Sequence, residues 1–128
     1  MENTHQGLGS LVDILKKMHQ EGNFSFCVLI DKDGFQVAAA ANDTQDLDRK
    51  AATIALIQRT IDQVQRHMEM TSPQEVVIFD SSGQRLVCRL FQIQQYPMIL
   101  ACTVPDRNQP YRKIINKAIR EIHQNWKL

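Results

Sequence analysis

The chain has almost no net charge. Fifteen lysines and arginines are nearly cancelled by fourteen acids, which leaves +1 with the four histidines neutral. So small an excess makes no broad field for nucleic acid or an anionic membrane, and a protein is the expected partner. Cysteine is scarce too. Cys27, Cys88 and Cys102 are odd in number, lack a CxxC pairing and fall inside apolar stretches, where a free thiol acts as a small buried hydrophobe. That usage suits a reducing cytoplasm. No basic-then-apolar leader opens the chain and no run approaches membrane-spanning length. The sequons at Asn23-Phe24-Ser25 and Asn42-Asp43-Thr44 therefore read as coincidence, and no membrane insertion is expected. Internal repeats and low-complexity segments are absent.

The chemical motifs are missing as well, so an enzyme with a cofactor is not expected. His5, His19, His67 and His123 are scattered without an i, i+4 pair or a nearby cysteine, which denies zinc its ligand geometry. Asp31-Lys32-Asp33-Gly34 lacks the spacing and closing glutamate of a calcium loop. No GxxxxGK[ST] loop is present to cradle phosphates, and Gly7-Leu8-Gly9 opens no strand-to-helix turn. No serine sits in a GxSxG elbow, and mid-strand cysteines make poor nucleophiles because burial disfavours the thiolate.

What is present is a strong layered pattern, and 128 residues suffice for one domain that buries roughly two-thirds of its unfolded surface. A first helix is expected from a Ser10 cap to Gly22, where a left-handed stop is cheap, with Leu11, Ile14, Leu15 and Met18 on one stripe. Residues before about 8 form a short flexible tail. Phe24 to Ile30 is apolar at both parities, so both faces of that strand should be covered. Asp31-Lys32-Asp33-Gly34 then turns the chain into an alanine-rich return strand, Phe35 to Ala41.

The second helix, from about Leu47 to about Met68, has two apolar faces in its first half. Leu47, Ala51, Ile54, Ile57, Ile61, Val64 and Met68 make the main stripe. Ala52, Ala55 and Leu56 fall outside it, and so small a chain needs a partner to cover them. Strands follow at Glu75 to Phe79, Gln84 to Phe91 and Met98 to Val104, the last apolar at both parities and therefore central. A final helix starts near Pro110 and carries Tyr111, Ile114, Ile115, Ala118, Ile119, Ile122 and Trp126 on one stripe. Hairpin links between strand pairs 1-2 and 3-4 make this an α+β three-layer domain.

These residues resemble the roadblock family of dynein-light-chain-like proteins and small-GTPase regulators. The resemblance is carried by Val28-Leu29-Ile30-Asp31-Lys32-Asp33-Gly34-Phe35-Gln36-Val37-Ala38, by the small-residue helix start Ala51-Ala52-Thr53-Ile54-Ala55, and by the strand Glu75-Val76-Val77-Ile78. It covers about Leu8 to Ile122. It implies a five-stranded antiparallel sheet ordered 2-1-5-4-3, with helices 1 and 3 on one face and helix 2 on the other. It also implies a homodimer that pairs strand 2 and packs the second helices together, through Phe35, Val37, Ala39, Ala52, Ala55, Leu56 and Arg59. The expected function is a non-catalytic, cytoplasmic regulator or scaffold that binds a Ras-like small GTPase and stimulates its GTP hydrolysis, with Arg59, Gln63 and Arg66 as contacts. Two alternatives are a light-chain-like adaptor and a small-molecule sensor. The sensor needs a cavity that Phe79, Phe91, Met98 and Trp126 are expected to fill.

Overall fold

The computed structural model describes residues 2–126, with side chains from residue 9 onward. Its elements run α1 (Glu2–Gly22), β1 (Phe26–Asp31), β2 (Gln36–Ala41), α2 (Leu47–His67), β3 (Glu75–Phe79), β4 (Arg85–Ile93), β5 (Tyr96–Val104) and α3 (Arg112–Asn125). The strands form one antiparallel sheet in the order β2-β1-β5-β4-β3, as the resemblance implied. The two strands read as apolar at both parities are interior: β1 lies between β2 and β5, and β5 between β1 and β4.

The strand pleat splits the core in two. Cys27, Leu29, Leu100 and Cys102 point to one face and pack with Leu11, Leu15 and Met18 of α1 and Ile115 and Ile122 of α3. Phe26, Val28, Ile30, Cys88 and Ile99 point to the other and pack with Ala51 and Ile54 of α2. This second layer is the thinner. Three residues of α2 are buried, Ala51, Ile54 and Ile61, while Val64 and Met68 of the expected stripe stand exposed. In the far half of α2 Ile61 alone of the stripe is buried, and Val64 lies across an open groove from Ile78 of β3.

Turn chemistry behaves as the sequence suggests. Asp31 Oδ1 accepts the N–H groups of Asp33 and Phe35 at 2.9 Å each, and Gly34 takes φ +84°. Asp80 Oδ1 likewise accepts from the Ser82 hydroxyl at 2.6 Å and from the Ser82 and Gln84 amides, with Gly83 at φ +101°. The Ser82 hydroxyl contact holds the Asp80 carboxyl below its ordinary range. At the return of β2 the register slips: Leu29 opposes Ala38 but Ile30 opposes Gln36, so Val37 is an extra residue, a β-bulge.

Several expectations need correction. α1 begins at Glu2, so Ser10 lies inside the helix and caps nothing, and the tail expected before about residue 8 is helical from Glu2. Its side chains through Leu8 lie outside the described residues. α1 ends in a Schellman motif: Phe24 N–H donates to His19 O and Asn23 N–H to Gln20 O, with Asn23 at φ +51°. Asn23, not Gly22, is the left-handed residue. Glycine is needed at 22 because the Phe24 ring folds back onto it, 2.4 Å from where a Cβ would lie. β4 and β5 are longer than expected and meet at a two-residue turn, Gln94 and Gln95, with φ +51° and +73°. Finally, Met98 is buried and Phe91 and Trp126 pack on the α1/α3 cluster, but Phe79 is 54% exposed and fills no interior space.

Candidate interaction surface

The periodicity of α2 places Ala52, Leu56, Arg59, Gln63 and Arg66 within an arc of about 80° at about 100° per residue, away from the buried stripe. All five are exposed, and Leu56 is 57% open to solvent. Arg59 and Arg66 make no ion pair among the described residues. Ala55 sits at the margin of this arc and is half-buried: a Cβ on Gly34 would come within 2.9 Å of the Ala55 methyl. That alanine is therefore used inside the chain, where it lets the β1–β2 turn approach the helix.

The β2 residues behave unevenly. Phe35, in the turn, is 67% exposed. Val37, in the bulge, packs partly on the α1 side, and Ala39 partly on the α2 side, so both are half-covered by their own chain. β2 has a free rim, since it pairs with β1 alone among the described strands.

The other rim is more apolar. β3 pairs with β4 alone, and its last three residues, Val77, Ile78 and Phe79, are all exposed. Its first residue is pinned. Glu75 takes Arg89 at 3.0 Å and Arg112 at 3.7 Å, and accepts the Tyr111 hydroxyl at 3.4 Å, which ties the strand to β4 and α3. Ile78 faces α2 across an apolar groove of about 480 Å³, lined by Leu56, Thr60, Val64, Met70, Pro73 and Ile78. Phe79 faces the other way, with the Arg107 guanidinium 5.4 Å from its ring centroid. Leu56 and Val64 of α2 and Ile78 of the rim thus share one apolar groove with Arg59 and Arg66 on the neighbouring helix face, while Val77 and Phe79 are exposed on the opposite face of the same rim.

Sequence reasoning missed the β3 half of this surface. The signal was present: Val76-Val77-Ile78-Phe79 is apolar at both parities, the same pattern that identified β1 and β5 as interior. On an edge strand that pattern means the cover is external.

No family model matches the sequence, and no curated protein matches it. Solved structures do match. MglB of Myxococcus xanthus is 15% identical with a TM-score of 0.73, over 91% of this chain and 87% of that one. The gliding protein MglB of Thermus thermophilus is 18% identical with a TM-score of 0.73, over 93% and 90%. The roadblock/LC7 domain from Streptomyces avermitilis is 16% identical with a TM-score of 0.69, over 88% and 92%. The chain has the roadblock fold. Within the roadblock fold, its strand order and three-helix layering agree with these neighbours along nearly the whole length. No helix among the described residues is long and apolar enough to cross a membrane.

Proposed function

We propose that this chain is a non-catalytic binding module of the cytoplasm that pairs with a second copy of itself and, as a dimer, binds and regulates a Ras-like small GTPase. The observation that carries the reading is the exposed apolar surface at the β3 edge, the groove of Leu56, Val64 and Ile78 on the α2 side and Val77 and Phe79 on the other, which a single chain leaves in water. Two copies related by a two-fold axis would pair their β3 rims about Val77, joining two sheets into one and bringing the second helices together. This places the twin on β3, whereas the resemblance pointed to strand 2. The preference rests on the exposed apolar side chains, which are richer on β3 than on β2. The roadblock fold supports it in kind, since one MglB neighbour, at 17% identity and a TM-score of 0.75, is described in a tetrameric arrangement.

The GTPase would dock on the helical side of the dimer, where Arg59, Gln63 and Arg66 remain free for charge-assisted contacts. No residue here is assigned a part in hydrolysis; regulation acts by holding the GTPase's own catalytic groups in place. An adaptor that only tethers larger proteins is the second reading, and it uses the same surface.

Sedimentation velocity tests the dimer. Leu56→Arg and Ile78→Arg should each give monomer, because an unpaired charge at a closed interface costs about 3–5 kcal/mol. The same variants should melt like the parent within about 0.5 kcal/mol once dimer linkage is removed, since both sites are exposed in the single chain. Phe35→Arg should remain dimeric; a monomer there and dimers at Leu56→Arg and Ile78→Arg would move the interface back to β2. Pull-down with a small GTPase from the same genome, loaded with GDP or a GTP analogue, tests the partner. Preference for one nucleotide state and faster hydrolysis supports regulation, whereas equal binding with an unchanged rate supports the adaptor. Arg59→Ala with Arg66→Ala should weaken capture by about 1–2 kcal/mol.

A further inference from the structure

We infer that the cleft between the start of β4 and the head of α3 binds the di- or triphosphate group of a small molecule. The cleft has a volume of about 750 Å³ and is lined by Arg85, Arg107, Pro110, Tyr111, Arg112 and Lys113. The cations come from three places in the chain: Arg85 opens β4, Arg107 lies in the loop after β5, and Arg112 and Lys113 form the first turn of α3. Two of them flank Tyr111, whose ring centroid lies 5.3 Å from the Arg85 guanidinium carbon and 5.7 Å from that of Arg112.

Very little within the chain balances this charge. Among the described residues Glu75 is the one carboxylate that pairs with a cleft cation, meeting Arg112 at 3.7 Å while already holding Arg89 at 3.0 Å. Arg85, Arg107 and Lys113 have no carboxylate within 4.0 Å among the described residues. Arg85 is held in place by donating Nη2 to the carbonyls of Asp106 at 2.8 Å and Gln109 at 2.6 Å, so it bridges strand and loop and fixes the cleft wall. Its Nε is shut from water with no acceptor among the described residues. Arg85 thus stands as a fixed cation in the cleft wall, and oxyanions are what a convergent set of arginines selects.

The head of α3 adds to this field. Tyr111 gives the helix no side-chain cap, its first turn contains no acid, and the first returning amide bond is Ile115 N–H to Tyr111 O. The amides of Arg112, Lys113 and Ile114 are thus left with no helical acceptor. A single carboxylate would leave most of this positive charge unmatched. A chain of two or three phosphates carries the matching charge and enough oxygens for both the arginine forks and the helix amides, and the cleft lies within the size range of small-molecule sites. The site does not depend on the GTPase reading.

Titration of the 15N-labelled full chain with pyrophosphate and with tripolyphosphate, at fixed ionic strength, tests it by NMR. Saturable shifts confined to the amides of residues 107–115 and to Arg85 Nε, tighter for tripolyphosphate than for pyrophosphate, are expected. Arg107→Glu combined with Lys113→Glu should weaken binding by about tenfold or more, as lost charge-assisted contacts imply. Both side chains are exposed, and Lys113→Gln alone serves if the double variant misfolds. An equal response to sulfate, shifts spread to Arg49, Arg66 and Arg120, tighter binding of a polyglutamate peptide, or unchanged affinity in the variants would overturn the assignment.

Discussion

Gly22 and Phe24 show how a single missing Cβ sets a core. The Phe24 ring is 1% exposed and occupies the space in which a side chain at 22 would begin. Gly22→Ala should therefore cost about 1–3 kcal/mol in urea denaturation, the range for overpacking. Gly9→Ala is the internal control: nothing lies within 4 Å of its built Cβ, and alanine favours a helix interior, so a gain of about 0.5–1 kcal/mol is expected. The sequence marked Gly22 as a helix end but not the reason for it, because the ring that folds back is a tertiary feature.

The cysteines were legible in full: burial was read from their apolar surroundings, and all three are buried free thiols. Burial pushes Cys27 and Cys88 from 9.0 up to about 12, and moves Cys102 in the same direction. The unfolded chain releases these protons near pH 9 and the folded chain does not. Stability should therefore be intact below pH 9 and fall between pH 9 and about 12, by about 1.4 kcal/mol per pH unit for each thiol. Chemical denaturation at pH 8 and pH 10 measures the slope, and Cys88→Ala should remove about a third of it.

At the level of elements, the hydrophobic period located every helix and strand, and the errors fall at their ends. α2 stops at a second Schellman motif, with Met70 N–H bonded to Gln65 O at 3.0 Å and Glu69 held at φ +54°. Glutamate sits poorly in that left-handed region, so Glu69→Gly should raise stability by about 1 kcal/mol in thermal or urea unfolding. The β4–β5 turn was illegible for a related reason. Two glutamines occupy positions that asparagine and glycine normally mark, so no local sign of a turn is present, and the long ladder from Arg85 opposite Val104 to Ile93 opposite Tyr96 imposes it. α2 was misjudged in a different way. Its apolar stripe extends to Met68, but Val64 and Met68 are exposed, and only tertiary placement reveals which residues of the stripe the sheet covers.

For the molecule as a whole, the two rims of the sheet differ in kind. β3 ends in three bare apolar residues beside an apolar groove, while β2 is made mostly of alanines half-covered by the helices on either side. The strand order was within reach of pattern and resemblance together; which rim is left open was not, because it depends on how far each helical layer extends. The basic cleft was equally hidden, since Arg85 lies more than twenty residues before Arg107, Arg112 and Lys113 and only the loop it holds brings them together.

The bulge at Val37 leaves the β2 border uneven. In the dimer proposed through β3, the outermost strand on either flank would be β2, and there the ladder is broken by a residue that finds no opposite number. A third molecule seeking to add itself would meet a kinked, twisted border that cannot offer an even row of donors and acceptors. Such a border would resist further strand addition and so keep the proposed pair from extending into a fibre.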